Sequence, residues 1–108
     1  MLINLLKLVS FVRAVDYQSF SKAALSLGIS TPAVSKQIKD LEKFMNVKLL
    51  QRSTRKISLT ESGEKAYEHF TGMLVDLNSL YNDLQRNNPN PYIKKKFDKI
   101  EKVYKENL

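Results

Sequence analysis

Short polar and basic side chains line one face of a predicted helix between residues 31 and 39, and these side chains suit the reading of duplex DNA. The face consists of Thr31, Pro32, Ser35, Lys36 and Lys39. Small side chains at the start of a helix allow close approach to base edges in a major groove about 12 Å wide. The alternative is an ordinary amphipathic helix with a solvated lysine face, and this stretch by itself does not separate the two.

A second basic cluster follows in residues 47–60, where the apolar pattern changes to a period of two. Alternation at Leu49 and Gln51, and again at Ile57 and Leu59, predicts a β-hairpin with its turn at residues 53–54. The hairpin contains no acid and carries Lys48, Arg52, Arg55 and Lys56. Packing does not explain four uncompensated cations, so we interpret the hairpin as a wing that contacts phosphates or the minor groove, rather than as a solvated loop.

The elements that position these clusters are two short helices in residues 19–42 and a longer helix before them. Gly28 suits the end of the first short helix, and Ser30 and Pro32 suit the first turn of the second. Apolar residues recur at helical spacing in both: Phe20, Ala23, Ala24 and Leu27 in one, Val34, Ile38, Leu41 and Met45 in the other. Residues 2–16 are predicted to form the preceding helix, with a stripe at Leu5, Leu8, Val12 and Val15.

A long helix is predicted over residues 61–87, with Thr60 as its cap and Glu61 and Glu64 in its first turn. Gly63 suggests a close contact with the preceding domain. A heptad-like seam follows at Tyr67, Phe70, Leu74, Leu77, Tyr81 and Leu84. A seam of this length needs a second helix to cover it, which predicts a homodimer. The alternative is a helix that folds back onto its own domain.

Charge divides the 108 residues into three segments. Residues 1–60 hold ten Lys/Arg and three Asp/Glu, residues 61–87 two and five, and residues 88–108 six and three. A basic domain at 1–60 predicts a polyanionic partner. Residues 61–87 are the linker or dimerisation helix, and 88–108 are a basic tail, a candidate short amphipathic helix, for which docking, disorder and accessory DNA contact all stay open.

Chemistry other than binding finds no support in the residue pattern. Cysteine is absent, His69 is the one histidine, and the three glycines are far apart, so no metal site, catalytic group, phosphate loop or cofactor is predicted. The chain is therefore not expected to be an enzyme. Lys7 and Arg13 interrupt the apolar N-terminus, so we expect no membrane association and a cytoplasmic protein.

The motifs of residues 19–42 and 47–64 together resemble the N-terminal DNA-binding region of LysR-type transcriptional regulators. The matching residues are Ala23, Ala24 and Leu27; Ser30, Pro32, Ala33 and Ser35; Leu41 and Glu42; Arg52 and Arg55; and Leu59, Thr60 and Gly63. The resemblance implies a mainly α fold: a winged helix-turn-helix of three helices and a hairpin wing, followed by a long dimerising linker helix. Nothing after residue 91 resembles the family's effector-binding domain, so no small-molecule effector is expected for this chain.

Three hypotheses for function follow from these patterns. The first is a sequence-specific regulator of transcription that binds double-stranded DNA as a homodimer on an inverted-repeat operator. Its DNA contacts would come from Thr31, Pro32, Ser35, Lys36 and Lys39, with Arg52, Arg55 and Lys56 on the wing. The second is an interaction module that forms mixed dimers with a full-length relative and modulates it. The third is an architectural DNA binder of weak specificity.

Overall fold

The computed structural model describes residues 4–52 and 56–87, apart from the side chains of Arg52 and Asn87. In chain order the elements are α1 (Leu5–Tyr17), α2 (Phe20–Leu27), α3 (Thr31–Met45), β1 (Leu50–Arg52), β2 (Ile57–Leu59) and α4 (Glu61–Asn87). The predicted turn at 53–54, the side chains of Arg52 and Arg55, and the tail 88–108 lie outside the described residues. The mainly α class with a small antiparallel hairpin is confirmed.

Capping side chains set the starts of the first three helices. Asn4 accepts the amide of Leu6 at 2.8 Å, Ser19 accepts that of Lys22 at 3.1 Å, and Ser30 accepts that of Ala33 at 3.2 Å. Each bond satisfies one of the free amides that every helix start exposes. The Ser30 cap was predicted. The Asn4 cap corrects the predicted start of α1 at residue 2, because Asn4 is extended and the helix begins after it.

The ends of the same three helices share one backbone conformation. Gln18, Gly28 and Asn46 are left-handed, with φ of 52°, 69° and 57°. Their amides bond back to carbonyls of the last helical turn, which closes each helix within the chain. Gly28 and Asn46 were predicted in this role. Gln18 was not, because glutamine has no marked preference for the conformation, and α1 consequently extends one residue beyond the predicted end.

The first of two compact units comprises residues 1–70, and its core joins α1, α2, α3 and the hairpin. Phe11, Val12, Ala14, Ala23, Val34, Ile38, Leu41 and Leu49 are fully buried. Phe11 meets Phe70 edge to face, with ring centroids 6.0 Å apart. Two stripe residues differ from the prediction: Leu5 is 50% exposed and Met45 is 37% exposed. Each lies in the first or last turn of its helix, where the neighbouring elements no longer cover it.

Arg13 joins α1 to α2 from inside this unit. Its Nη1 donates to the carbonyl oxygen of Ser26 at 3.1 Å and to Ser26 Oγ at 3.0 Å, and the residue is only 5% exposed. A charged donor that is buried needs such acceptors, because the bonds replace the water that burial removes. The bonds between Arg13 and Ser26 were not predicted from the sequence, where Arg13 is noted only as a charge in the apolar N-terminus.

The second unit begins at Thr71, and its described part is the remainder of α4, residues 71–87. Four large apolar side chains there are exposed by 47–59%: Met73, Leu77, Leu80 and Leu84. They step by 4, 3 and 4 residues, so they form one stripe along the helix. Leu74 is 9% exposed, while Asn78 and Tyr81 are half-buried.

Candidate nucleic-acid interface

The start of α3 presents the predicted reading face to solvent. Thr31, Pro32, Lys36 and Lys39 are exposed, and Ser35 is half-buried. The opposite side of the helix carries Val34, Ile38 and Leu41, each with no exposed area. The buried side fixes the rotation of the helix about its own axis, so the polar face cannot turn inward. The structure therefore brings all five predicted α3 residues onto one accessible surface.

Lys36 on this face forms an ion pair with Asp40, a residue that the sequence analysis did not consider. Lys36 Nζ lies 3.1 Å from Asp40 Oδ2, with the two side chains 75% and 37% exposed. An exposed pair at i,i+4 is worth about 0.3–0.5 kcal/mol, so a stronger partner can displace it. The spacing of the two residues is the signal that could have revealed the pair. Lys36 therefore lies along the helix beside Asp40 and can leave this ion pair to bind another acceptor.

The hairpin beside α3 supplies the second part of the predicted interface. Leu50 pairs with Leu59, Gln51 with Ser58 and Arg52 with Ile57 in an antiparallel register. Lys48 and Lys56 are exposed at either end of the described hairpin. The side chains of Arg52 and Arg55 lie outside the described residues, so their contact with DNA stays a prediction.

Glu42 connects the C-terminal part of α3 to the base of the hairpin. Its Oε2 accepts the amide of Leu49 at 2.8 Å and that of Leu50 at 3.3 Å, and the residue is 4% exposed. Two amide donors stabilise a buried carboxylate that would otherwise cost several kcal/mol. This role of Glu42 was not predicted from the sequence, where the residue is named only as part of a family motif. Glu42 directly follows Leu41, a residue of the apolar stripe, and no other acid occurs between it and the end of the predicted hairpin; that position was the available signal.

Thr60 and Gly63 attach the start of α4 to the base of the hairpin, at Lys48 and Leu49. The amide of Thr60 donates to Leu49 O at 3.0 Å, its Oγ1 donates to Lys48 O at 2.6 Å, and that oxygen accepts the amide of Gly63 at 2.9 Å. A Cβ on Gly63 would overlap the backbone carbonyl of Leu49. The predicted cap at Thr60 and the predicted close contact at Gly63 are both confirmed.

Tyr67 contacts α1 within the first unit. Its Oη donates a hydrogen bond to Asp16 Oδ1. Burial raises the pKa of Asp16 above its ordinary value of 3.8, while this hydrogen bond and the nearby Arg13 charge act in the opposite direction. Tyr67 and Phe70, two of the six predicted seam residues, thus have partners inside their own chain. Leu77 and Leu84 are the exposed members of that seam.

No helix of residues 4–52 or 56–87 has the length and apolar character needed to cross a membrane. The same part of the chain has no group of three or more His, Cys, Asp or Glu side chains placed to hold a metal ion.

Comparison with protein families relates this geometry to known proteins. A family model described as "Bacterial regulatory helix-turn-helix protein, lysR family" matches residues 5–64, from the start of α1 to the first turn of α4. A probable HTH-type transcriptional regulator of Klebsiella pneumoniae, LtrA, is 48% identical over 73 residues, which are 67% of this chain and 24% of LtrA. The HTH-type transcriptional activator AaeR of Escherichia coli is 37% identical over 81 residues, 75% of this chain and 26% of AaeR.

A transcriptional repressor of Pseudomonas aeruginosa is also similar, with 33% identity over 97 residues, 90% of this chain and 31% of the repressor. The chain spans about a quarter to a third of the length of these curated relatives. Because the relatives include an activator and a repressor, the shared segment does not determine the direction of regulation.

Solved structures show the same fold. The DNA-binding domain of BenM, in a crystal structure of its complex with catB site 1 DNA, has a TM-score of 0.76 and 32% identity, and the match covers 82% of this chain and 98% of that one. OxyR of Corynebacterium glutamicum in its oxidised form has a TM-score of 0.71 and 32% identity, covering 78% of this chain and 27% of OxyR.

Proposed function

Because the chain belongs to the LysR family of bacterial helix-turn-helix transcriptional regulators, we propose that it binds double-stranded DNA of defined sequence as a homodimer and regulates transcription there. The observation that carries the proposal is the exposed polar face of α3, which stands on a fully buried apolar side. A similar domain, BenM, was solved on duplex DNA. The family's regulators, rather than enzymes, are the proteins this chain is similar to.

In the proposed complex the first turns of α3 enter the major groove. Thr31, Pro32 and Ser35 are short enough to let the helix approach the base edges, and Lys36 exchanges the carboxylate of Asp40 for acceptors on a base. Lys39 lies one turn further along the same face. Base contacts of this kind supply the sequence preference, because phosphate contacts alone do not distinguish sequences.

The hairpin serves as the wing in this proposal. Arg52 and Arg55 would contact phosphates or the adjacent minor groove, together with Lys56, which is exposed. Two bonds at the base of the hairpin support this role: the bond to Glu42 fixes the wing relative to α3, and the bond from Thr60 to Lys48 O closes the two ends of the hairpin on each other.

The stripe Met73, Leu77, Leu80 and Leu84 supports the proposed homodimer, because four exposed apolar side chains at heptad spacing on one helix are typical of a helix-pairing surface. A two-fold pair of reading helices fits half-sites about 34 Å apart, and the operator would then be an inverted repeat. The alternative of mixed dimers with a longer relative uses the same stripe, but it does not require the homodimer to bind an operator.

Selection of bound duplexes from a random library tests the proposal. We expect an enriched inverted repeat with half-sites about one helical turn apart. Lys36→Ala should lose about 1–3 kcal/mol of discrimination at one base pair. Lys65→Ala is the matched control, since Lys65 is equally exposed (76%) and also has an i,i+4 carboxylate partner, Glu61, but it lies on α4. A pool without any enriched sequence would contradict the proposal.

A further inference from the structure

An open depression of about 670 Å³ lies at the C-terminal end of α3, beyond the first turns that are proposed to enter the major groove. It is lined by Lys39, Glu42, Lys43, Asn46, Val47 and Lys48. Three of these six residues are lysines, and all three are exposed. We call this surface the lysine depression.

The positive charge of the lysine depression is not neutralised by nearby acids. Among the described side chains of residues 4–52 and 56–87, none of the three lysines has a carboxylate partner within 4 Å. Glu42 lies at the same depression, but its carboxylate is buried and accepts the amides of Leu49 and Leu50. An anion from outside the chain would therefore meet three available ammonium groups.

Folding by itself does not explain this arrangement. Lys39 and Lys43 are separated by one helical turn, and like charges at i,i+4 destabilise a helix slightly. Lys43 has a compensating structural role, because a cation in the last turn interacts favourably with the helix dipole. Lys39 and Lys48 have no such role, since one lies earlier in α3 and the other lies beyond the Asn46 cap.

The depression is continuous with the proposed reading face, because Lys39 belongs to both. Lys43 lies twelve residues after Thr31, which corresponds to about 18 Å along a helix axis. That distance exceeds the width of a major groove of about 12 Å. An α3 that crosses the groove with its start among the bases would bring its other end to the backbone that borders the groove.

We propose that Lys43 and Lys48 bind phosphates of the duplex outside the base pairs that the start of α3 reads, beside Lys39 at the edge of the reading face, so that each protomer holds DNA flanking its half-site. This inference depends on the proposed function, which provides the duplex. The depression is open and is lined by three lysines. It therefore suits the row of phosphates along a phosphodiester backbone better than it suits a single acidic side chain.

The test compares two duplexes that share the selected half-sites, one ending at their outer base pairs and one extended by about ten base pairs on each side, one helical turn. Binding of the wild type, Lys43→Gln, Lys48→Gln and the double variant is measured by fluorescence anisotropy across a salt titration. Lys65→Gln is the charge-matched control, since Lys65 lies on α4. The thermal midpoint of each variant shows whether it is folded.

We expect the wild type to bind the extended duplex more tightly than the short one, and the double variant to lose most of that gain. On the extended duplex the slope of log K against log salt should fall by about 2 for each protomer, because two phosphate contacts are lost. On the short duplex the double variant and the wild type should differ little.

Equal loss on both duplexes, or no loss on either, would overturn the inference. So would a folded double variant that keeps the full benefit of the extension. These results leave the proposed function intact, provided that Lys36→Ala still loses discrimination on the short duplex. Failure of the proposed function would be seen separately, as the absence of any selected sequence from which to build the two duplexes.

Discussion

The two compact units differ in how far their large apolar side chains are buried. In residues 4–70 the core residues of α1, α3 and the hairpin, such as Phe11, Ile38 and Leu49, have no exposed area, and buried charges such as Arg13 and Glu42 have partners inside the chain. In residues 71–87 four of the large apolar residues are about half exposed. The first unit satisfies its own packing, whereas the described part of the second presents a surface that a further helix would cover. Variants in each unit should therefore affect different measurements.

The largest effect is expected from charging the exposed stripe. Leu77→Lys with Leu84→Lys should weaken dimerisation by about 4 kcal/mol, because the dimer contains four of these leucines and each would gain about 1 kcal/mol from burial of its exposed half. Light scattering across a dilution series measures the loss. Ser79→Lys is the control, since Ser79 is exposed on another side of the helix. A double variant that stays dimeric would mean that other residues form the interface.

Gly63→Ala should lower the stability of the first unit rather than weaken dimerisation. The added methyl overlaps the Leu49 carbonyl, and relief of the overlap requires backbone movement at the base of the hairpin, for a loss of about 3 kcal/mol in the free energy of unfolding. Gly72→Ala is the matched control. Among the described residues, no atom other than the neighbouring helix backbone lies within 4 Å of a Cβ at Gly72, so the free energy of unfolding should rise by up to about 1 kcal/mol.

Chemical denaturation of both variants tests this contrast. Similar free energies of unfolding for the two variants would show that the backbone near Leu49 accommodates the added methyl group without a loss of stability.

Glu42→Ala should lower the free energy of unfolding by about 2 kcal/mol, because the buried amides of Leu49 and Leu50 lose their acceptor. Glu42→Gln keeps an oxygen that can accept a hydrogen bond and should lose less. Hydrogen exchange at the two amides gives the local measurement, with faster exchange expected in the alanine variant. Unchanged exchange there would exclude Glu42 as the residue that holds the hairpin base.

The smallest effect is expected at Asp16. Its folded-state pKa is raised by burial, so above pH 3.8 the folded protein binds a proton more readily than the unfolded chain does. Stability should therefore decline as pH rises from about 3.8 through the folded-state pKa, and Asp16→Asn should remove that decline while keeping an acceptor for Tyr67. Thermal midpoints of both proteins between pH 3.5 and pH 6.5, roughly bracketing this range, make the comparison. Parallel curves would contradict it.

Features that depend on local chemistry were predictable from the residues alone. The Ser30 and Thr60 caps, the left-handed Gly28 and Asn46, and the start of α4 follow from preferences that act over one helical turn. The apolar period of α3 also placed the residues that are predicted to contact DNA on one accessible face. The similarity to regulators of one family agrees with the motifs that these residues form.

Tertiary structure decided which side chains meet across the chain. The Arg13–Ser26, Glu42–Leu49 and Tyr67–Asp16 contacts join residues up to 51 positions apart, and no sequence period encodes such distances. The gathering of Lys39, Lys43 and Lys48 around one depression likewise depends on how the chain turns after Asn46. The physical reason is that caps and periodicity depend on neighbours along the chain, whereas burial and charge pairing depend on neighbours in space.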